Sequence, residues 1–414
     1  MGAVSDIVLY VTWYVMVFFS VVWFSVFLKK GKRYHNDPKA SVLPSVSIIV
    51  PAYNEDATIE KTVRSLLALD YPKNKLEIMV VNDGSKDRTS ALAHAMAREH
   101  KNVRVMDKPN GGKASALNAG IARARGTLVG CMDADSTAER DALKRMLGYF
   151  NDERVAAVTS SMKIANARGV LGRIQAAEYL LNIFLRKILT FMDALPVTPG
   201  PLSIYRKSVV KSMGGFNGDN MVEDMDMAFA LHAAGYKIEN STGARVWTLC
   251  PTTLRGVYAQ RVRWYRGLIS TSFKYRDLFF NTRYGNLGVF FLPLNFLSII
   301  MVFALLSVMA HDTFMSVSRT LWQWSLVGFD MGYIISAFRI PDLNIMLFDT
   351  RLALMFSATL LGVALLYTSF RQANERIRSN ILGFAAYLFF FPMLMMVFWS
   401  VSLVHELRRA QKRW

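Results

Sequence analysis

The sequence predicts an α/β domain with a mostly parallel sheet, set among membrane-spanning α-helices, and three observations carry that prediction. Between residues 46 and 132, four short apolar runs alternate with segments whose apolar residues recur at helical spacing. That alternation is the pattern of a parallel sheet with helices on both faces. Long charge-free apolar stretches occur only near the N-terminus and in the C-terminal third, and about 20 such residues cross a bilayer. The 414 residues carry 49 Lys and Arg against 31 Asp and Glu, a net charge of +18, and basic residues gather beside those stretches. Cytoplasmic flanks of spanning helices collect Lys and Arg, so the charge needs no nucleic-acid partner.

Composition narrows the class further. Twenty-seven Phe, 22 Met and 8 Trp with only 19% charged residues exclude a disordered chain. Two cysteines exclude a disulfide scaffold. A mean hydropathy of +0.23 fits one soluble domain joined to several membrane helices.

Taken in chain order, the first element is a span over residues 8–28, followed by Lys29, Lys30, Lys32 and Arg33. The run is too long for a signal-peptide core, and its basic cluster comes after it instead of before. This places the next domain in the cytoplasm, with Cys131 and Cys250 as reduced thiols. Residues 286–310, 352–370 and 379–404 are three further charge-free stretches, and residues 321–338 form a weaker one interrupted by Asp330. An acid at membrane depth is a functional suspect; a segment lying in the interface is the alternative. Arg371, Arg376 and Arg378 and the tail residues Arg408, Arg409, Lys412 and Arg413 all favour the cytoplasmic side. One straight span between them cannot satisfy both groups, and Pro392 near its middle allows a kinked or re-entrant pair of half-helices.

Within the domain, residues 46–50 read as a buried strand, and Asn54 as the cap of a helix carrying Ile59, Val63, Leu66 and Leu67. Residues 76–81, 103–105 and 127–132 are the next strands. Asp87 and Thr89 open a helix between the first two, and residues 114–124 form one between the last two. Ligands of such sheets bind at the carboxyl ends of the strands. Those ends lead into Pro51-Ala52-Tyr53-Asn54-Glu55, Asn82-Asp83-Gly84-Ser85 and Asp133-Ala134-Asp135. In an extended strand Asp133 and Asp135 face one side. They are hard oxygen ligands suited to Mg2+ or Mn2+ together with phosphate oxygens. Tyr53 and Asp83 together suit a nucleotide, as ring stack and acceptor. Gly111-Gly112-Lys113 lacks P-loop spacing, yet Lys113 can approach a diphosphate. Glu223, Asp224 and Asp226 open a further helix, where they either compensate its dipole or take a proton from a hydroxyl. Gln260-Arg261-Val262-Arg263-Trp264 joins guanidinium forks for diphosphate oxygens to an indole face for a sugar; a basic helix on the membrane surface is the other reading, and it also suits residues 170–191.

These motifs, in this order, resemble the series of membrane-integrated, processive family 2 glycosyltransferases, which include cellulose, chitin, hyaluronan and poly-N-acetylglucosamine synthases. The resemblance covers about residues 45–270. It is nearest to the poly-β-1,6-N-acetylglucosamine synthases in the single span before the domain, in residues 169–175 and 253–258, and in Glu223-Asp224. Gly200-Pro201-Leu202-Ser203-Ile204-Tyr205-Arg206 looks more like the hyaluronan synthase segment near the acceptor sugar.

The resemblance implies a GT-A-type domain over residues 36–250. It also implies an N-terminal helix and basic flank over 1–35, amphipathic interface helices over 251–285 and three or four membrane segments over 286–414. It implies a multi-pass protein of the plasma membrane with a cytoplasmic catalytic domain. The site it implies has Asp83 on uridine with Tyr53 and Glu55 beside it, Asp133 near the diphosphate, and Asp135, with Asp133, on Mg2+ or Mn2+. Asp224 is the implied general base with Glu223 beside it. Gln260, Arg261 and Arg263 brace the donor diphosphate, and Trp264 stacks on the acceptor. The implied partners are a UDP-sugar, foremost UDP-N-acetylglucosamine, a growing polysaccharide and membrane lipid. A small membrane subunit is left open. Trp322, Trp324, Trp399 and Asp330 are candidate linings of a sugar channel, or interface anchors. The competing readings are a two-donor, hyaluronan-like copolymer synthase, a single-sugar transferase to a polyprenyl phosphate, and a nucleotide-binding receptor or transporter without chemistry.

Overall fold

The computed structural model describes residues 3–337 and 350–408. Arg409, Lys412 and Arg413 of the basic tail, and Phe338 at the end of the weakest apolar stretch, lie outside them. The chain opens with helix α1 (Ala3–Lys30). The α/β part begins with β1 (Val46–Ala52), α2 (Ile59–Leu67), β2 (Leu76–Asn82), α3 (Thr89–Glu99), β3 (Val103–Asp107), α4 (Lys113–Arg123) and β4 (Leu128–Cys131). It continues with β5 (Thr137–Ala138), α5 (Ala142–Leu147), β6 (Val155–Ile164), α6 (Gly169–Phe191), β7 (Ser203–Arg206), α7 (Lys207–Ser212), α8 (Glu223–Ala233), β8 (Lys237–Thr248) and α9 (Leu254–Lys274). The apolar remainder comprises α10 (Leu292–Leu326), α11 (Met331–Ala337), α12 (Thr350–Gln372), α13 (Ile381–Phe389) and α14 (Phe391–Leu407).

The eight strands form one sheet in the order β3-β2-β1-β4-β7-β6-β8-β5. The first four are parallel, as the alternation predicts. Strand β7 then inserts antiparallel between β4 and β6, and β8 returns parallel to β6, so the sheet is mixed. Central strands covered on both faces are apolar throughout, and Ile48, Val50, Ile78, Val80 and Val158 are all fully buried. Helix α2 packs the face made by Ile59, Thr62, Val63 and Leu66, the spacing of an amphipathic helix. Asn54 is not its cap. It sits at φ 55° four residues before the N-cap, Thr58, where it ties two loops together.

The chain divides into two compact units, residues 1–25 with 293–365, and residues 26–292 with 366 onward. Among the described residues three helices, Ser5–Arg33, Leu287–Leu326 and Leu352–Gln372, are long and apolar enough to cross a membrane, and α13 with α14 makes a fourth candidate bent by 49°. In the first unit, Asp330 caps α11, its carboxylate accepting from the N–H of Gly332 at 2.7 Å and of Tyr333 at 3.3 Å. In the second unit, both ends of the bent pair rest on the α/β part. Asn380 donates to the carbonyl of Arg173 in α6 at 3.0 Å. At the other end, Glu406 pairs with Arg266 of α9 at 3.1 Å. Along α9, Tyr265 stacks on Trp399 with centroids 4.4 Å apart. The bend lets the segment start and finish on the same body.

Candidate functional site

The loops after β1, β2 and β4 meet at the carboxyl edge of the parallel strands, and backbone amides hold them there. The Asn54 amide donates to the Ser85 hydroxyl at 3.0 Å, and the Lys86 amide donates to the Asn54 side chain at 2.9 Å. Glu55 N–H donates to the Thr89 hydroxyl at 2.7 Å, and Asp56 N–H to the Asp87 carboxylate at 3.1 Å. Tyr53 stands on this edge with 46% of its surface open, a ring face free to stack.

Asp83 opens the loop after β2 and is buried. Its carboxylate accepts from the N–H of Gly111 at 3.1 Å and of Gly112 at 2.7 Å, and pairs with Lys108. Gly112 adopts φ 84°, a conformation open to glycine and strained for other residues. Lys108 carries no motif in the sequence; only the folded loop shows that it faces Asp83.

Strand β4 stops at Cys131, so Asp133 and Asp135 lie in the turn beyond it, not on one face of an extended strand. The turn is held by the Thr62 hydroxyl, which donates to the Ala134 carbonyl at 2.7 Å. Asp133 pairs with Lys113 at 2.6 Å. Asp135 accepts from the Ser136 hydroxyl at 3.0 Å. Burial, and then the neighbouring charges of Asp133 and Glu55, push the Asp135 carboxyl up to about 6. Glu55 is raised in the same way, by burial first, although the Thr58 hydroxyl holds it at 2.8 Å.

Lys113, at the start of α4, also reaches Glu223 at 3.1 Å. Burial lowers its ammonium, yet the surrounding Asp133, Glu223 and Asp224 carboxylates overcome this and hold it charged. Asp224, next to Glu223 on the first turn of α8, is pushed up to about 6 by burial and by Glu223. The Thr198 hydroxyl donates to the Asp224 carbonyl at 2.7 Å and fixes that turn. Asp226 is not part of the cluster: it accepts from Lys274 at 2.8 Å and Asn220 at 3.1 Å and ties α8 to α9. Gly200 closes the other side. A Cβ there would lie 2.4 Å from the Asp133 carboxylate, so the 200–206 segment runs against the cluster.

Five carboxylates, Glu55, Asp133, Asp135, Glu223 and Asp224, thus share their surroundings with the Lys113 ammonium, and Asp224 also feels the Arg186 guanidinium. Acid still outnumbers base there, which favours an added cation. Among the described residues no three acidic, His or Cys side chains already converge on a single point. Asp133 and Asp135 carry hard oxygen donors, the kind that divalent ions such as Mg2+ and Mn2+ take.

Helix α9 holds the last motif. Arg261 is 1% exposed and pairs with the buried Glu178 of α6 at 2.7 Å, its guanidinium 4.2 Å from the centre of the Trp264 ring. Trp264 packs beside Met162, Ile164, Tyr179 and Cys250. Arg261 is therefore engaged inside the protein. Gln260 has a buried side-chain oxygen with no protein donor, and Arg263 is half-buried. A single acid in the apolar face of residues 170–191 is the one sequence signal that foreshadows Glu178.

Residues 47–214 match the family described as Glycosyl transferase family 2. The chain is similar to the poly-beta-1,6-N-acetyl-D-glucosamine synthase of Staphylococcus aureus strain COL, with 34% identity over 261 residues, 61% of this chain. The matched stretch spans 63% of that relative's length. It is similar to the Staphylococcus epidermidis protein of the same name, with 29% identity over 74% of each chain. Among solved structures, it resembles a Pyrobaculum calidifontis mannosyltransferase in complex with GDP-Man and Mn2+. The TM-score is 0.57 and the identity 21%, over 91% of this chain and 99% of the other. At that identity the likeness is one of fold.

Proposed function

We propose, from the premise that residues 47–214 are a family 2 glycosyl transferase domain of GT-A-like fold, that the chain is an inverting hexosyltransferase. It transfers a sugar from a UDP-sugar, best matched by UDP-N-acetylglucosamine, to a growing β-linked polysaccharide. The observation that carries this reading is the acidic cluster around Lys113, where the turn after β4 meets the start of α8.

In this reading Tyr53 and Asp83 receive the nucleoside, with Glu55 beside them. Lys113 and Arg263 face the diphosphate, with Gln260 bracing it. Asp133 and Asp135 would hold Mg2+ or Mn2+, which neutralises charge on the departing diphosphate. The relative with GDP-Man and Mn2+ pairs a nucleotide sugar with a divalent ion in the same fold. Asp224 takes the proton of the acceptor hydroxyl as that oxygen attacks the anomeric carbon from the face opposite UDP. An α-linked donor thereby becomes a β-glycoside. Burial, and then Glu223, push this base up to about 6. Arg261, bound to Glu178, orients Trp264 toward the acceptor.

The apolar helices would anchor a multi-pass protein in the plasma membrane with this domain in the cytoplasm, and would line the exit of the sugar chain. Trp322 and Trp324 remain candidates for that lining, whereas Trp399 is already stacked on Tyr265. The contact of Gly200 with Asp133 keeps a second reading in view, a hyaluronan-like polymer built from two donors.

The deciding experiment measures UDP release and product size with UDP-N-acetylglucosamine, UDP-glucose and UDP-glucuronate, singly and mixed, with Mg2+ or Mn2+. A long polymer from UDP-N-acetylglucosamine alone supports the reading. A strict need for two donors moves the assignment to the copolymer, and UDP release without polymer removes processivity. Asp224→Asn should abolish transfer while leaving UDP binding in place.

A further inference from the structure

Loop 373–380 joins two apolar helices, α12 and α13, and it is basic. Arg371, Arg376 and Arg378 are exposed around a cavity of about 650 Å3, whose other walls are Tyr367, Glu375 and Ile377. The one acid in this rim is already matched: Glu375 pairs with the buried Lys163 of β6 at 2.7 Å. Lys163 also donates to the Ala373 carbonyl at 3.0 Å. The loop is thereby pinned to the α/β part, with its acid committed to Lys163 and three guanidinium groups on the same rim. A second basic segment lies alongside, for His35, just past Lys32 and Arg33, meets Gln372 at 2.9 Å. Apolar side chains open outward next to the charges: Tyr367 is 51% exposed, Ile381 59% and Leu382 60%.

Charged forks beside exposed apolar surface, at the junction of two membrane-type helices, match one kind of molecule. From this arrangement we infer that the cavity binds the headgroup phosphate of an anionic glycerophospholipid. Guanidinium groups recognise phosphate oxygens through paired hydrogen bonds. Basic pockets between membrane helices bind anionic headgroups. The acyl chains would run along Tyr367, Ile381 and Leu382. A soluble phosphate would use the forks and leave those apolar side chains in water. The inference goes beyond the glycosyltransferase reading and rests on α12 as a membrane helix, not on the chemistry at Asp224.

The test compares full-length wild type with Arg376→Gln/Arg378→Gln in phosphatidylcholine nanodiscs with and without phosphatidylglycerol. Bound lipid is read by native mass spectrometry, and unfolding by a thermal shift. Wild type should retain phosphatidylglycerol over phosphatidylcholine by about tenfold or more, and the variant should lose that preference. Arg376→Lys/Arg378→Lys, which keeps the charge but not the forks, should fall between. An equal preference in wild type and Gln variant overturns the proposal. So does millimolar inorganic phosphate displacing the lipid or matching its thermal protection, since the ligand is then a soluble anion. Calorimetric UDP binding is measured alongside. It should be unchanged in both variants, which separates failure here from failure of the glycosyltransferase reading.

Discussion

The Arg261–Glu178 pair yields a prediction that separates two roles for one residue. Its ion pair is 2.7 Å long, with the two side chains 1% and 10% exposed. Removing one member of such a pair leaves an uncompensated buried charge and costs about 3–5 kcal/mol. In a unit of this size each kcal/mol moves Tm by roughly 2–4 °C. Glu178→Gln should therefore lower Tm by about 6–20 °C. Arg261→Met should lower it less, because burial already raises the Glu178 carboxyl and the orphaned acid escapes by taking a proton. Met also removes the buried Arg261 Nε, which has no partner. The double variant Glu178→Leu/Arg261→Met should return near the wild-type Tm, since an apolar pair of similar volume replaces an ion pair at little cost. Its polymerisation should stay impaired, because Trp264 loses the guanidinium beneath its ring. Thermal unfolding by tryptophan fluorescence in detergent, with calorimetric UDP binding on the same samples, reads both effects. A Glu178→Gln Tm within about 2 °C of wild type, together with UDP affinity lost in Arg261→Met, would refute the reasoning and return Arg261 to the diphosphate.

The acidic cluster leads to other expected outcomes. Burial, and then Glu223, push the Asp224 carboxyl up to about 6, and in the proposed role as base it must be ionised, so kcat should fall about tenfold per pH unit below 6. Glu223→Gln removes a like charge and lowers the Asp224 pKa, so that limb should move to lower pH; a limb that does not move takes Glu223 out of the role. Asp135→Ala should abolish the part of UDP affinity that depends on Mg2+ or Mn2+, with unchanged calorimetric titrations counting against it. Gly200→Ala drives a methyl group to 2.4 Å from the Asp133 carboxylate. A displacement of that kind should reduce kcat by about 100-fold with Tm nearly preserved, and full activity would show that Asp133 can move aside freely.

Much of the α/β half is legible in the sequence because local patterns there agree with the tertiary outcome. The runs at β1, β2 and β4 are apolar for the same reason that they are central, β3 lies at the edge of the sheet, and the motifs come directly after strands whose carboxyl ends share an edge. Legibility fails where distant residues decide. Asn54 looks like a cap, yet its side chain is claimed by the Lys86 amide. Asp133 and Asp135 look like strand neighbours, yet β4 ends before them because the turn is held from α2 by Thr62. The partners of Asp83 and Arg261, Lys108 and Glu178, are 25 and 83 residues away in sequence, and neither sits in a recognisable pattern. Antiparallel insertion of β7 between β4 and β6 has no local signature, since strand direction is set by connections and not by the four residues of the strand.

The return of α13 and α14 to the α/β part bears on how the protein is made. The second compact unit starts at residue 26 but finishes only with the residues after 366. Until the ribosome has delivered α13 and α14, Tyr265 has no Trp399 to stack on and Arg266 no Glu406 to pair with. Domains generally fold as they emerge during synthesis; this one is left with α9, which carries Gln260 to Trp264, uncovered until α14 has been made. Truncating the chain after α9 to obtain a soluble catalytic fragment would freeze it in that unfinished condition. The smallest piece expected to fold and turn over keeps its C-terminal helices.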